Sequence, residues 1–510
     1  MGLDYAKTIE KWDVLEVTVN GPKEGNPFCD QWIKGTFCCK NEKKTVDGFY
    51  DGDGVYKVRF MPSFVDTYMF KIETSFQTEN AEEVSGSFTV IPPSANNHGP
   101  VHVAGTYYLA YEDGTPYHCI GTTCYVWNLQ NEELQKQTLK TLEENAFNKI
   151  RFCIFPKHYD YNLHEPITYP YEGTPCDSSV LNENNFAEYN GCAPGNDWDF
   201  TRFNSAHFQH IEKCIQALMK LGIEADLIVM HPYDRWGFSM MKAEDDDRYW
   251  KYVLARFSAY RNVWWSLANE YDLLHEKTLS DWERYASIIC EKDPYHHLRS
   301  IHNCKAYYDY NLPWITHCSI QRTETYRSSE LVNEWREKYH KPVVLDEICY
   351  EGNIQFGWGN ISGEEMTRRF WEAFCRGGYP GHGETYLSPD RILWWSHGGV
   401  LHGTSPERIR FLANIMEETP GLGVEPMPCK WDEVACRVAG FPARKDYFIY
   451  YYSFMRPGFR DFYFDDTTEY QVEIIDTWEM TITDGGIHKG KFRVQLPGKE
   501  YMAVRLRAVK

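Results

Sequence analysis

The sequence predicts an α/β protein: a (β/α)8 TIM barrel flanked by N-terminal and C-terminal antiparallel β-sandwich domains. Three observations carry this expectation. The 510 residues suffice for about three domains at roughly 150 residues each. The texture changes twice, from short alternating strands to strand–helix units near residue 100, and back to strands near residue 419. Between those points about eight strand–helix units fill about 310 residues, which is the rhythm of a closed parallel barrel.

Residues 1–95 carry runs such as Val14-Leu15-Glu16-Val17-Thr18-Val19 and Val55-Tyr56-Lys57-Val58-Arg59-Phe60. Asn20-Gly21, Asp47-Gly48 and Asp51-Gly52-Asp53-Gly54 supply turns between them, as an antiparallel sandwich requires. The polar, proline-bearing stretch from Ile91 to Pro100 ends this domain.

The barrel is expected over 100–418. Its strands are read at His118 to Thr122, Lys149 to Phe155, Glu224 to Met230, Val263 to Ala268, Leu298 to Asn303, Trp314 to Ile320 and Val343 to Leu345. The eighth falls either in Tyr379 to Tyr386 or in Ile392 to Trp395. Helices are read at Asn131 to Asn145, at Phe203 to Leu221, and near 244–260, 280–292, 328–339 and 363–376, with the eighth starting at Thr404…Glu407. In the second, Ile211, Ile215, Leu218 and Leu221 recur on one face. Ser280…Glu283 and Ser362…Glu365 read as capping boxes. A doubly wound sheet is the rival, but no glycine-rich phosphate turn follows the first strand. Over 419–510 strands return, in Tyr447 to Phe454 and in the alternating Phe492, Val494, Leu496 and Met502, Val504, Leu506, as a second sandwich.

Composition narrows the function. With 53 Lys+Arg against 73 Asp+Glu the formal charge is −20, a field that repels phosphate backbones and anionic lipid, so neither nucleic acid nor a membrane is an expected partner. Aromatic residues make up 16%, flat amphipathic surface suited to sugar rings. No apolar run reaches a membrane span, and Met1-Gly2-Leu3-Asp4-Tyr5-Ala6-Lys7 has no basic or apolar leader region, so a cytoplasmic location is expected. Ala6 stands where myristoylation wants Ser or Thr. The 16 cysteines include Cys119, Cys153, Cys214, Cys290, Cys318, Cys349 and Cys375 inside apolar stretches, and are read as reduced core thiols. None are spaced C-x2-C, so no metal centre is expected from them.

Barrel enzymes place their chemistry at the carboxyl ends of the strands. The buried run Asn262 to Ala268 ends in Asn269-Glu270, and Lys341 to Leu345 ends in Asp346-Glu347. By count these are strands four and seven, on roughly opposite sides of the mouth. Two opposed carboxylates suit glycosidic cleavage, where a proton must reach the leaving oxygen and negative charge must stand near the anomeric carbon. Such an acid must keep its proton near neutrality, and Trp264, Trp265 or other apolar neighbours, together with the opposing charge, are expected to raise the pKa of Glu270, while Glu347 stays ionised.

Asn-Glu after strand four with Glu after strand seven resembles the retaining glycoside hydrolases of clan A. The resemblance implies Glu270 as general acid/base, Glu347 as nucleophile and Asn269 on the sugar 2-hydroxyl. A closer likeness covers nearly the whole chain. Asn26 to Asp30, Gly48 to Gly52, Val58 to Pro62, His231 to Trp236 and Ala268 to Asp272 resemble apiosidase-like barrel proteins with a preceding β-sandwich.

Supporting residues are read from the same strand ends. Arg151 on strand two resembles the arginine that supports the nucleophile in clan A, with a buried ion pair as the alternative. His231, Tyr233, Asp234 and Trp236 cluster after strand three, either as sugar ligands or as a self-satisfied loop network. His302 and Gln321 follow strands five and six. Of Trp394-Trp395, Trp395 is favoured as the floor of a sugar subsite. The long stretch from Lys157 to Phe200, with Tyr159, Tyr161, Tyr169, Tyr171, Tyr189 and Trp198, reads as a wall over the site or a clamp on a neighbouring subunit in a homo-oligomer.

Two other classes compete. A metal-dependent barrel hydrolase wants paired histidines after the first strand, where Ile120-Gly121-Thr122-Thr123-Cys124 stands instead; His207 and His210 lie on a helix without carboxylate partners. A non-catalytic carbohydrate-binding relic would have no need of both glutamates. The expected function is therefore a retaining glycoside hydrolase without metal or organic cofactor, exo-acting on short plant-type oligosaccharides or small glycosides.

Overall fold

A computed structural model describes residues 4–77, 84–429 and 433–509. Eight parallel strands form its centre: β1 (Gly121–Thr123), β2 (Lys149–Cys153), β3 (Glu224–Met230), β4 (Val263–Ala268), β5 (Arg299–Ser300), β6 (Cys318–Gln321), β7 (Val343–Glu347) and β8 (Tyr379–His382). They pair in the order β5-β4-β3-β2-β1-β8-β7-β6, and a parallel bridge from His302 to Ser319 joins the two ends into a ring. Strands covered on both faces read as mostly apolar runs, and β3 and β4 are buried throughout, with Glu224, Asp226 and Ser266 as their polar members. β4 and β7 stand three strands apart along one arc of the ring and five along the other.

The strand and helix expectations meet several differences. β1 begins at Gly121 rather than His118, because the Asn148 side chain takes the place of a strand partner: its amide donates to His118 O at 2.8 Å and its Oδ1 accepts from Ile120 N at 2.7 Å. Of the two places left open for the eighth strand the structure takes the first, Tyr379–His382, and Trp394–His397 is a helical turn. The β5–β6 connection holds no helix; buried Tyr310 fills that place, its hydroxyl reaching Ile301 O and Ser319 O. The capping box before helix Leu279–Lys292 lies two residues earlier than read, on Thr278 and Asp281, because both frames fit the pattern and the helix starts at the first. Ser362 does cap its helix, accepting from Glu365 N, but the Glu365 carboxylate turns to Arg368 and Arg369. Thr404 forms no side-chain cap.

A ribbon of Val101–Ala104 and Tyr108–Tyr111 closes the amino-terminal end of the barrel, packing with Tyr117, Cys119, Trp264, Leu298, Val344 and Tyr379. Before it lie a five-stranded and a three-stranded sheet, whose facing residues include Leu15, Val17, Phe37, Val58, Phe60 and Phe88. The Phe37 and Phe60 rings stack at 4.3 Å. One ladder departs from an all-antiparallel sandwich: Thr8–Glu10 runs parallel to Val84–Ile91. After the barrel, a six-stranded antiparallel sheet carries a two-stranded one on one face, around Phe448, Phe462, Val472 and Val504. Its other face, with Cys436, Ile449 and Tyr451, joins the barrel core beside helix Gly363–Cys375.

All the cysteines are free; Cys29, Cys192, Cys290 and Cys429 are exposed, which corrects the core reading for Cys290. Among the described residues no helix is long and apolar enough to cross a membrane.

Candidate active site

A cavity of about 480 Å³ opens at the carboxyl ends of the strands, within the few hundred ångströms cubed usual for small-ligand sites. Glu270 and Glu347 both line it. Asn269 N continues the β4 ladder to Met230 O. The chain then turns sharply at Glu270, whose φ of 49° lies in the left-handed region, and Tyr271 N catches His302 O at 2.9 Å. A non-glycine residue held there costs free energy and persists only where its surroundings enforce it. Glu347 is the last residue of β7 and pairs in register with Gln321 of β6.

The Glu347 carboxylate is held chiefly through one oxygen. Its Oε1 accepts from the Tyr125 hydroxyl, from Arg151 Nη1 at 3.3 Å and from His302 Nε2 at 3.2 Å. The buried Tyr350 hydroxyl faces the same carboxylate. His302 Nε2 also faces Gln321 Oε1 at 3.1 Å, so it presents a proton to two oxygens. Burial alone would raise the Glu347 pKa, but the His302 hydrogen bond and charge, the Arg151 guanidinium and the Tyr125 hydroxyl hold it down at about 2. Below lies a buried charged layer in the barrel interior. Lys149 Nζ stands 2.7 Å from both Asp226 and Asp346, and the Arg151 guanidinium lies between this layer and the site. Against the burial that would raise it, Asp346 is driven well below the usual carboxylate range by Lys149 and Arg151.

Glu270 accepts from the Tyr233 hydroxyl, from Gln321 Nε2 at 3.0 Å and from Asn269 Nδ2 at 3.3 Å. The two glutamates are thus linked through Gln321 and His302. Asn269 is fully buried and does not line the cavity; its Oδ1 accepts from Tyr125 and from Arg151 Nη2, both at 3.2 Å. Trp264 and Trp265 are not the neighbours of Glu270: their indoles donate to Glu224 and Asp293. On a strand, successive side chains leave by opposite faces, and neither indole lies at the strand's end.

Of the cluster after β3, Tyr233 lines the cavity, while His231, Asp234 and Trp236 do not. Asp234 accepts from Trp236 N, Ser239 N and the Ser239 hydroxyl, a loop network satisfied by itself. His231 reaches Phe155 O at 3.3 Å, and burial pushes its pKa down to about 3. Trp395 lines the cavity against Tyr159 and Trp358, at ring distances of 4.8 and 5.1 Å, whereas Trp394 donates to Thr122 in the core. The long connection after β2 supplies Tyr159, Asp160, Tyr161, Phe186 and Asn190 as one wall. It is not wholly irregular, since Tyr171–Thr174 and Asp197–Phe203 form a hairpin within it.

Sequence reading missed Tyr125, Lys157, Cys304 and the opposite wall of Tyr350, Phe356 and Trp358. Lys157 is 3% exposed, and its ammonium sits over the rings of Tyr125, Tyr233 and Tyr159 at 3.2, 4.2 and 4.5 Å. Burial lowers its pKa to about 8, against the opposing charges that include Glu270 and Glu347. The one signal for these residues was position, just beyond a strand end.

Residues 104–417 match the family model of apiosidase-like catalytic domains. Residues 8–75 and 431–507 match DUF5060 and DUF5605, both described as domains of unknown function. No curated protein matches the chain. The crystal structure of a candidate glycoside hydrolase from Bacteroides vulgatus is 37% identical, with a TM-score of 0.89, covering 99% of this chain and 100% of that one. A glycoside hydrolase family 5 structure from the same species is 16% identical, with a TM-score of 0.60 and coverages of 80% and 93%, a likeness of fold.

Proposed function

Since the chain belongs to the family of apiosidase-like catalytic domains and has a glycoside hydrolase fold, we propose that it cleaves O-glycosidic bonds with retention, by double displacement between Glu347 and Glu270. The observation that carries this reading is the asymmetry of Glu347. Tyr125, Arg151 and His302 converge on one oxygen, Oε1, of a carboxylate that lines the cavity and whose pKa is held at about 2. Such a group attacks as an anion at any working pH.

In the first step a Glu347 oxygen bonds to the anomeric carbon while Glu270 gives its proton to the departing glycosidic oxygen, leaving a glycosyl ester. In the second, Glu270 takes a proton from water, whose oxygen displaces Glu347 and restores both groups. Tyr233 and Gln321 orient Glu270; Arg151, His302 and Tyr125 orient Glu347 and carry the charge that returns to it. No step calls on a metal or an organic cofactor. Trp395 is the apolar floor for the sugar ring. With walls on two sides, the cavity suits the end of a short plant-type oligosaccharide or a small glycoside, and hence exo action.

The test is a panel of 2-deoxy-2-fluoro aryl glycosides, apiosides among them, followed by peptide mass mapping. The expected result is one glycosyl label, on the peptide carrying Glu347. Inverted product from the parent substrate, with no labelled peptide, would contradict the proposal.

A further inference from the structure

Beyond the catalytic cavity, the exits of β7 and β8 run into two short strands, Glu351–Gly352 and Glu384–Thr385, paired in parallel. They bring two carboxylates to the N-terminus of helix Ser405–Glu417. Glu384 accepts from His402 N at 2.6 Å and Gly403 N at 2.7 Å. Glu351 accepts from Thr404 N at 2.7 Å, Ser405 N at 3.0 Å, and the Thr404 and Tyr386 hydroxyls at 3.2 Å. A Cβ on Gly403 would stand 2.4 Å from Glu351 Oε2 and 2.7 Å from Glu384 Oε2, so only glycine lets both carboxylates approach.

Both are buried, and among the described residues no lysine or arginine pairs with either. A helix N-terminus offers only about half a positive charge, too little for two carboxylates. The third group is His382, the last residue of β8, 0% exposed. Its Nδ1 meets Thr122 Oγ1 at 3.2 Å, and its Nε2 has no partner. One donor atom each from Glu351, His382 and Glu384 lie within 4.8 Å of one another. Donors about 2.0–2.2 Å from a shared ion stand roughly 3–4.4 Å apart, so small side-chain adjustments close the set.

We propose that Glu351, His382 and Glu384 bind one divalent transition cation of the zinc or manganese type. An imidazole nitrogen beside two carboxylates favours such ions over calcium, which takes oxygen ligands. The ion has a structural role, since none of the three residues lines the catalytic cavity. It clamps the β7 exit to the β8 exit and to the following helix. Tyr350 precedes Glu351 and is bonded to the Trp358 carbonyl at 2.7 Å, so the clamp fixes the aromatic wall.

The test uses the full chain, stripped with a chelator, dialysed, and titrated with Mn2+, Zn2+ and Ca2+ by calorimetry and thermal unfolding. Mn2+ is the decisive probe because thiols bind it poorly. The account expects one equivalent of Mn2+ or Zn2+, a rise of several degrees in Tm, and at least a tenfold loss of affinity in His382→Gln or Glu384→Gln. Crystals grown with Mn2+ should show an anomalous peak among the three side chains, which keeps the test open if a variant fails to fold. No Tm response to either ion, a response to Ca2+ alone, a peak elsewhere, or unchanged affinity in both variants would overturn it.

Discussion

Glu347 and Lys157 are opposite cases of a buried charge beside one cavity. Glu347 stays ionised because three donors outweigh its burial. Tyr125→Phe removes one of them, so the Glu347 pKa rises and the acid limb of kcat/KM moves up, by on the order of one pH unit, with kcat falling about tenfold to a hundredfold. A pH–rate profile checks both; an unmoved acid limb would count against Tyr125 as a positioning residue. Lys157 has a folded pKa of about 8 against 10.5 for the free side chain. The unfolded chain therefore holds the extra proton between those values, and native stability rises with pH there. Lys157→Met should stabilise the protein at pH 7 by up to about 3 kcal/mol, with the gain fading between pH 8 and 10.5, as Tm at pH 6.5 and 9.5 would show. The two glutamates were legible in sequence because each closes a strand-like apolar run. Lys157 and Tyr125 were not, because an aromatic cage around an ammonium reads in sequence as ordinary core.

Elements were legible where one period dominates, and misread where a side chain replaces backbone pairing. Asn148 substitutes for the ladder before β1 and leaves no periodic trace; between β5 and β6, where no helix is read, Tyr310 fills the gap. The frame of the cap on helix Leu279–Lys292 is a direct test. Thr278→Ala should cost about 1 kcal/mol and Ser280→Ala much less, measured as shifts in the urea midpoint. Equal effects would return the cap to Ser280. Of the tryptophan pair, Trp395 lines the cavity and Trp394 packs in the core, and both sit on a helical turn rather than on a strand.

At the scale of the whole molecule, the first pair of sheets is tied to the barrel by buried ions. Arg59 donates to both oxygens of Glu212, at 2.5 and 2.9 Å, and to Arg256 O, while Arg256 meets Glu212 and Asp51, each at 2.7 Å. Burial would raise the Glu212 pKa, but the two guanidiniums lower it, so its contribution is present above the ordinary carboxylate pKa and lost as pH falls through the lower folded value. Breaking a buried pair from one side costs about 3–5 kcal/mol. Glu212→Gln should therefore lower Tm clearly at pH 7, and Glu73→Gln, which breaks an exposed pair with Lys34, should leave it nearly unchanged. Alternation and turn residues announced the flanking sheets, but no local pattern announces a contact between Arg59 and Glu212, 153 residues apart. The central claim is that Glu270 and Glu347 serve one anomeric carbon from its two sides, and azide rescue tests both roles together. With an activated aryl glycoside, Glu270→Ala should yield the glycosyl azide of retained configuration and Glu347→Ala that of inverted configuration, read by NMR. Exchanged configurations, or no azide product from either variant, would contradict it.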